Sequence, residues 1–241
     1  MLPYISEFVG TALLLFLGTG VVANVNLKKS GMFGGGAIMI TIAWGLAVMI
    51  PAYIFGAASG AHFNPALTVA LAFNGTFDWA MVPGYFIAQM LGGFVGGAGT
   101  WLLFKDHLDA EEDPNRKLGV FCTAPSMPNF FRNYMSEVLG TFVLVFTILG
   151  IAQMPNLAGG TDKLFVCGII MSVGMSFGGL TGYAINPARD MGPRLAHHFL
   201  PIKGKRDSNF KYGMVPFTAP YFGGILAVIL YRAIPWEAVA A

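Results

Sequence analysis

The chain has 241 residues, 55% of them hydrophobic and only 11% charged, where a water-soluble domain carries about 25% charge. That balance is not one of a soluble domain, and a net charge of +2 is too small to point to nucleic acid. The two cysteines form no motif; Cys122 stands in a polar stretch and Cys167 in an apolar one, so no disulfide is expected.

In chain order, apolar stretches lie near 4–26, 35–56, 79–104, 132–153, 163–181 and 212–234. Each approaches or exceeds the roughly 20 residues that cross a bilayer. They are too many and too long for core helices, so the chain reads as an all-α membrane protein with six transmembrane helices in a single domain over 1–241. The first span does not read as an obvious signal peptide: no basic residue precedes it, and Glu7 sits at its start. Gly92-Gly93 and Gly96-Gly97 repeat at four-residue spacing, which reads as close helix packing rather than nucleotide binding.

The chain also repeats itself. Ser6-Glu7-Phe8-Val9-Gly10-Thr11 returns as Ser136-Glu137-Val138-Leu139-Gly140-Thr141, and Asn64-Pro65-Ala66 returns as Asn186-Pro187-Ala188. The expected organisation is repeat one over about 1–104, a linker over about 105–131 and repeat two over about 132–241. Each repeat holds three crossings, an odd number, so the second must enter from the opposite face, giving an inverted repeat. The linker carries Asp106, Asp109, Glu111, Glu112 and Asp113 with Lys105, Arg116 and Lys117. It reads as a solvated loop, with a binding role for the acidic cluster as the alternative.

Each Asn-Pro-Ala begins an apolar segment too short to span, over 65–73 and about 187–199. Asn is a preferred helix N-cap and Pro a preferred first residue. Nine helical residues rise about 14 Å, about half the apolar core, so both segments read as re-entrant half-helices stopping at mid-membrane. The backbone before them, 60–63 and 182–185, is then irregular at membrane depth. Such backbone is tolerated where protein buries it or water reaches it, which points to a water-filled path. Two half-helix N-termini there repel cations. Asn64 and Asn186 can each cap the local backbone through oxygen and offer an amide N–H to a passing hydroxyl. Arg189, on the same half-helix as Asn186, is costly in hydrocarbon and should face the cavity; the alternative is an ion pair with neighbouring Asp190.

These motifs, with Ser59-Gly60-Ala61-His62-Phe63 before the first and Gly182-Tyr183-Ala184-Ile185 before the second, resemble the aquaporin family, and its aquaglyceroporin (glycerol facilitator) branch in particular. The resemblance covers essentially the whole chain. It implies an aquaporin-like fold and a passive channel for glycerol, water and other small uncharged solutes that excludes ions and protons. It implies a selectivity filter of Trp44, Gly174, Tyr183 and Arg189. Trp44 and Tyr183 would form an apolar wedge, and Gly174 would leave room where water-selective members tend to carry His. Tyr183 departs from the Phe common in glycerol facilitators, adding a hydroxyl and bulk. Asp190 after Arg189 favours the glycerol branch. The pore would be centred on Asn64 and Asn186 and lined by the backbone of Gly60, Ala61, His62, Phe63, Gly182, Ala184 and Ile185. Glu7 and Glu137 would hold the loops by accepting their N–H groups.

The resemblance further implies a homotetramer in the cell membrane with both termini cytoplasmic. The basic residues disagree: Lys28, Lys29, Lys105, Arg116, Lys117, Lys203, Lys205, Arg206 and Lys211 would face outward, against the positive-inside rule. No cofactor, metal or nucleic acid is implied; His62 reads as a loop brace, and His197-His198 lack the carboxylate or thiolate partners of a metal site. Alternatives are a facilitator mainly of water, peroxide or a protonated short acid, and a coupled secondary transporter, for which Glu7 and Glu137 are the available intramembrane acids. An intramembrane enzyme finds no Ser–Lys, Ser–His or paired Asp to work with.

Overall fold

The computed structural model describes residues 1–154 and 157–236. Its helices are α1 (Leu2–Asn26), α2 (Gly36–Ser59), α3 (Pro65–Phe73), α4 (Val82–Leu103), α5 (Lys105–Ala110), α6 (Pro114–Phe121), α7 (Phe130–Ile151), α8 (Thr161–Thr181), α9 (Pro187–Phe199) and α10 (Phe210–Ala233), with a 3₁₀ turn at Trp79–Met81. Among the described residues, six helices are long and apolar enough to cross a membrane, at the positions the hydropathy pattern predicts. The order long, long, short, long occurs in α1–α4 and again in α7–α10.

Local chemistry explains where the long helices stop. Both α2 and α8 end on a left-handed glycine, Gly60 at φ 81° and Gly182 at φ 83°, a conformation glycine adopts without a Cβ penalty. The chain then turns back into the bundle. Asn64 and Asn186 restart it as N-caps, each side-chain oxygen accepting two backbone N–H groups, with Pro at the first helical position. The outer end of α9 is capped by Lys205, whose ammonium donates to the carbonyls of His197, His198 and Leu200 at 2.6–2.7 Å, where the helix dipole favours a cation.

Packing repeats the internal symmetry. A Cβ added at Gly92 would stand 2.4 Å from the Phe8 carbonyl oxygen, and one at Gly223 would stand 2.2 Å from that of Val138. At the next residue, a Cβ on Gly93 would stand 2.7 Å from Ala188 O, and one on Gly224 3.3 Å from Ala66 O. Small residues thus press α4 onto α1 and α9, and α10 onto α7 and α3. The pair at 223–224 was not singled out in the sequence; its match to 92–93 is visible only once the repeats are superposed.

The linker is a correction. It is folded, carrying α5 and α6, and it buries Leu108, Leu118, Val120, Phe121 and Cys122 against Ala23, Leu27 and Ile202. The charge run masks these apolar residues in a sequence window. Three of its five acids are engaged: Glu111 accepts from the backbone N–H of Lys28, Glu112 and Asp113, Asp109 pairs with Lys105, and Asp113 accepts from Asn115 N at the start of α6. Cys122 is therefore buried, and both cysteines are free.

Candidate functional site: a lined cavity between two re-entrant loops

The two re-entrant loops meet tip to tip. Asn64 Nδ2 donates to the Ile185 carbonyl at 2.9 Å, and Asn186 Nδ2 donates to the Phe63 carbonyl at 2.8 Å. Each asparagine oxygen is spent on its own helix: Asn64 Oδ1 accepts from Ala66 N and Leu67 N, and Asn186 Oδ1 from Ala188 N and Arg189 N. An amide nitrogen carries two hydrogens, so one N–H of each asparagine ties the repeats together and one is left for the lumen.

The loops are strained in the same way. Ala61, Phe63, Tyr183 and Ile185 are non-glycine residues at positive φ, 54°, 48°, 36° and 45°. Such residues cost about 1–3 kcal/mol each and persist only when their surroundings over-determine them. Two buried carboxylates do so. Glu7 accepts from Ser59 Oγ, His62 N, Phe63 N and Gln89 Nε2 at 2.7–3.0 Å. Glu137 accepts from Thr181 Oγ1, Ala184 N and Ile185 N at 2.7–3.1 Å. Gln89 also donates to Thr68 Oγ1, which lies 3.1 Å from His62 Nδ1, and the His62 ring packs on Phe77 and Tyr85. Ser59, Thr68, Gln89 and Thr181 were missed in the sequence; Ser59 and Thr181 share the 122-residue offset of the asparagines, which could have found them, whereas Gln89 gives no signal.

A cavity of about 390 Å³ runs from Trp44, Tyr183 and Arg189, past Asn64 and Asn186, to Gly160 and Lys163 at the start of α8. Gly60, Ala61, His62, Ala184 and Ile185 line it. Phe63 and Gly182 do not: the Phe63 ring is driven against Gly10, and Gly182 backs onto Thr123. The Arg189 guanidinium lies 4.0 Å from the Trp44 ring centroid, a favourable cation–π arrangement, and forms no ion pair among the described residues. The pairing considered for Asp190 goes elsewhere. Asp190 binds Arg194 at 2.7 and 3.0 Å and accepts from Thr123 N and Oγ1. Arg194 in turn donates to the carbonyls of Ser208, Asn209 and Thr123. One helical turn beyond Asp190 puts Arg194 on the same face of α9, which adjacent Arg189 cannot reach.

Gly174 differs from its expected place. It does not line the cavity; the space its missing side chain leaves is filled by the Tyr183 ring and the Thr41 methyl. The Tyr183 hydroxyl is buried with no partner, so it adds no polar group to the lumen. His197 is buried against Ser208 Oγ at 2.8 Å, and no group of His, Cys, Asp and Glu among the described residues could hold a metal.

Comparison with known proteins agrees with this geometry. Residues 2–231 match the family model for the major intrinsic protein. The chain is 52% identical over 232 residues to the "Probable glycerol uptake facilitator protein" of Thermotoga maritima, covering 96% of this chain and 99% of that one. It is 50% identical over 233 residues to the "Glycerol uptake facilitator protein" of Bacillus subtilis, covering 97% and 85%. The crystal structure of the aquaglyceroporin from Plasmodium falciparum superposes with a TM-score of 0.85 at 30% identity, covering 99% of this chain and 98% of that one. With a family model matched over residues 2–231 and relatives 50–52% identical over nearly its whole length, the chain, with its two capped half-helices and two loops held by buried glutamates, belongs to the major intrinsic protein family.

Proposed function

We propose that the protein is a passive channel for glycerol, water and other small uncharged solutes, closed to ions and protons. As a member of a channel family it is not an enzyme. The observation that carries the reading is Arg189, a guanidinium with no ion-pair partner among the described residues, lying over the Trp44 ring on a cavity wall that Tyr183 shares. An unpaired cation beside apolar faces binds hydroxyl oxygens through its fork of donors, lets a carbon skeleton slide past the rings, and repels cations. Past it, the N-termini of α3 and α9 add two partial positive charges, and the free N–H groups of Asn64 and Asn186 supply donors to a passing oxygen. Glu7 and Glu137 act as scaffold, and the backbone of Gly60, Ala61, His62, Ala184 and Ile185 lines the path. The division into repeat one, linker and repeat two at about 104 and 132 belongs to the same reading.

The assembly is a homotetramer in the cell membrane with both termini cytoplasmic. Of the nine loop cations that oppose this orientation, Lys105 is engaged within the protein with Asp109, Lys117 with the Lys203 carbonyl, Lys205 with the end of α9, and Arg206 with Asn115 and Asp207.

Stopped-flow light scattering on proteoliposomes tests the reading. A glycerol gradient should give fast re-swelling, and Arg189→Val should open a proton or cation leak while glycerol still passes. Intact tetramers that pass water but no glycerol would move the assignment to a water channel, and saturable, ion-dependent flux would move it to a transporter.

A further inference from the structure

Tyr183 is wedged from behind. Gly174 and Gly178, one turn apart on α8, both face its ring. A Cβ at Gly174 would stand 2.8 Å from Tyr183 Cζ and 2.6 Å from Thr41 Cγ2; one at Gly178 would stand 2.8 Å from Cδ1 and 3.2 Å from Cε1. The ring therefore fills a groove with no slack, in a core that also holds Trp44, Ile170 and Val173. Its backbone cannot withdraw either: Tyr183 sits at φ 36°, and the two following N–H groups are held by Glu137. Tyr183 also borders the cavity. An atom added to the groove displaces the ring from it, and the cavity is the open space beside this residue.

We infer that Gly178 and Thr41, neither of which lines the cavity, determine the size of solute the channel admits by setting how far the Tyr183 ring withdraws. Both are positioning residues, acting through Tyr183. The inference rests on the glycerol-channel reading and adds to it the residues that set its width. The hydroxyl of Tyr183 is buried with no hydrogen-bond partner.

The test compares glycerol and water permeability in proteoliposomes for each variant. Ala is the better helix former, so Gly178→Ala places the methyl without weakening α8. Its glycerol-to-water ratio should fall about tenfold or more, the scale on which a pocket responds to one added carbon. Tyr183→Cys in the Gly178→Ala background should restore glycerol passage, because the displaced ring is gone. Gly179→Ala adds a methyl on the same turn of α8 with nothing within 4 Å of it, and should leave the ratio within about twofold of the parent. An unchanged ratio in Gly178→Ala, a glycerol block that persists in the double variant, or an equal shift in Gly179→Ala would each overturn the inference. Failure of the glycerol reading shows separately, as absence of glycerol flux in the parent; the ratio is then taken between water and the largest solute the parent passes.

Discussion

Around the first re-entrant loop Glu7 meets Ser59, His62 and Phe63; around the second Glu137 meets Thr181, Ala184 and Ile185, each 122 positions later. The glycine turn, the asparagine cap and the positive-φ pair recur with the same offset. Beyond this shared frame the two sides part. Thr68, in the first half-helix, belongs to a neutral network with His62 and Gln89. Asp190, at the matching place in the second, is half of a fully buried ion pair that also grips the linker through Thr123. The comparison separates two tasks. The frame that holds a strained loop at mid-membrane is needed twice and is built twice. The proposed filter residues Tyr183 and Arg189 belong to the second loop alone, and among the described residues only that half-helix carries a fully buried ion pair.

The strongest way to break this comparison is to remove the fastening. Loss of one partner from a buried pair strands the other and costs about 3–5 kcal/mol, so Asp190→Ala should lower thermal stability in detergent sharply. Thr68→Ala removes neutral hydrogen bonds worth about 1 kcal/mol and should cost far less. Equal losses would mean that the two half-helices are held alike.

Exchanging the two carboxylates for amides is a smaller perturbation that sharpens the same contrast. Glu137→Gln turns an acceptor into a donor facing Ala184 N or Ile185 N, at a cost of about 1.5–3 kcal/mol for a charged hydrogen bond. Glu7→Gln should cost less, because the Gln89 amide can turn and accept from the new NH₂ group. Thermal stability and glycerol flux of both variants check the order. If Glu137→Gln left folding, assembly and transport untouched, the scaffold role would be wrong.

The frame was more legible than the fastening because repetition exposes it. Two copies of Glu-x-x-Gly-Thr and two of Asn-Pro-Ala point to pairs of equivalent contacts before any coordinates exist. Asp190–Arg194 has no copy in the first repeat, and Gln89 has none in the second, so neither could be found by offset. The linker was misread for a different reason. Its five acids dominate any hydropathy window, yet Leu118, Val120 and Phe121 lie on one edge of it and pack on the ends of α1 and the 200–209 loop. Gly174 was placed in the lumen by analogy, and only the ring of Tyr183, bent back by a positive φ that no sequence pattern announces, shows that the space is taken.

The smallest predicted effect concerns acid, and it reaches the second loop through the linker. Glu111 joins the start of α6 to the end of α1, accepting from Lys28 N, Glu112 N and Asp113 N at 3.0 Å. Burial raises its carboxyl, but the three backbone donors outweigh it, and the result lies below the ordinary value of 4.5. A carboxylate depressed in the folded state contributes stability that is complete above its unfolded value and is lost as pH falls through the folded one. Stability should therefore be flat with respect to this group above pH 4.5 and decline below it, loosening the linker and with it the Thr123 hold on Asp190. Glu111→Gln should be slightly less stable at neutral pH and should decline less steeply in acid. Parallel slopes for the parent and Glu111→Gln below pH 4.5 would show that Glu111 gives the linker no acid sensitivity, and that the second loop does not depend on it.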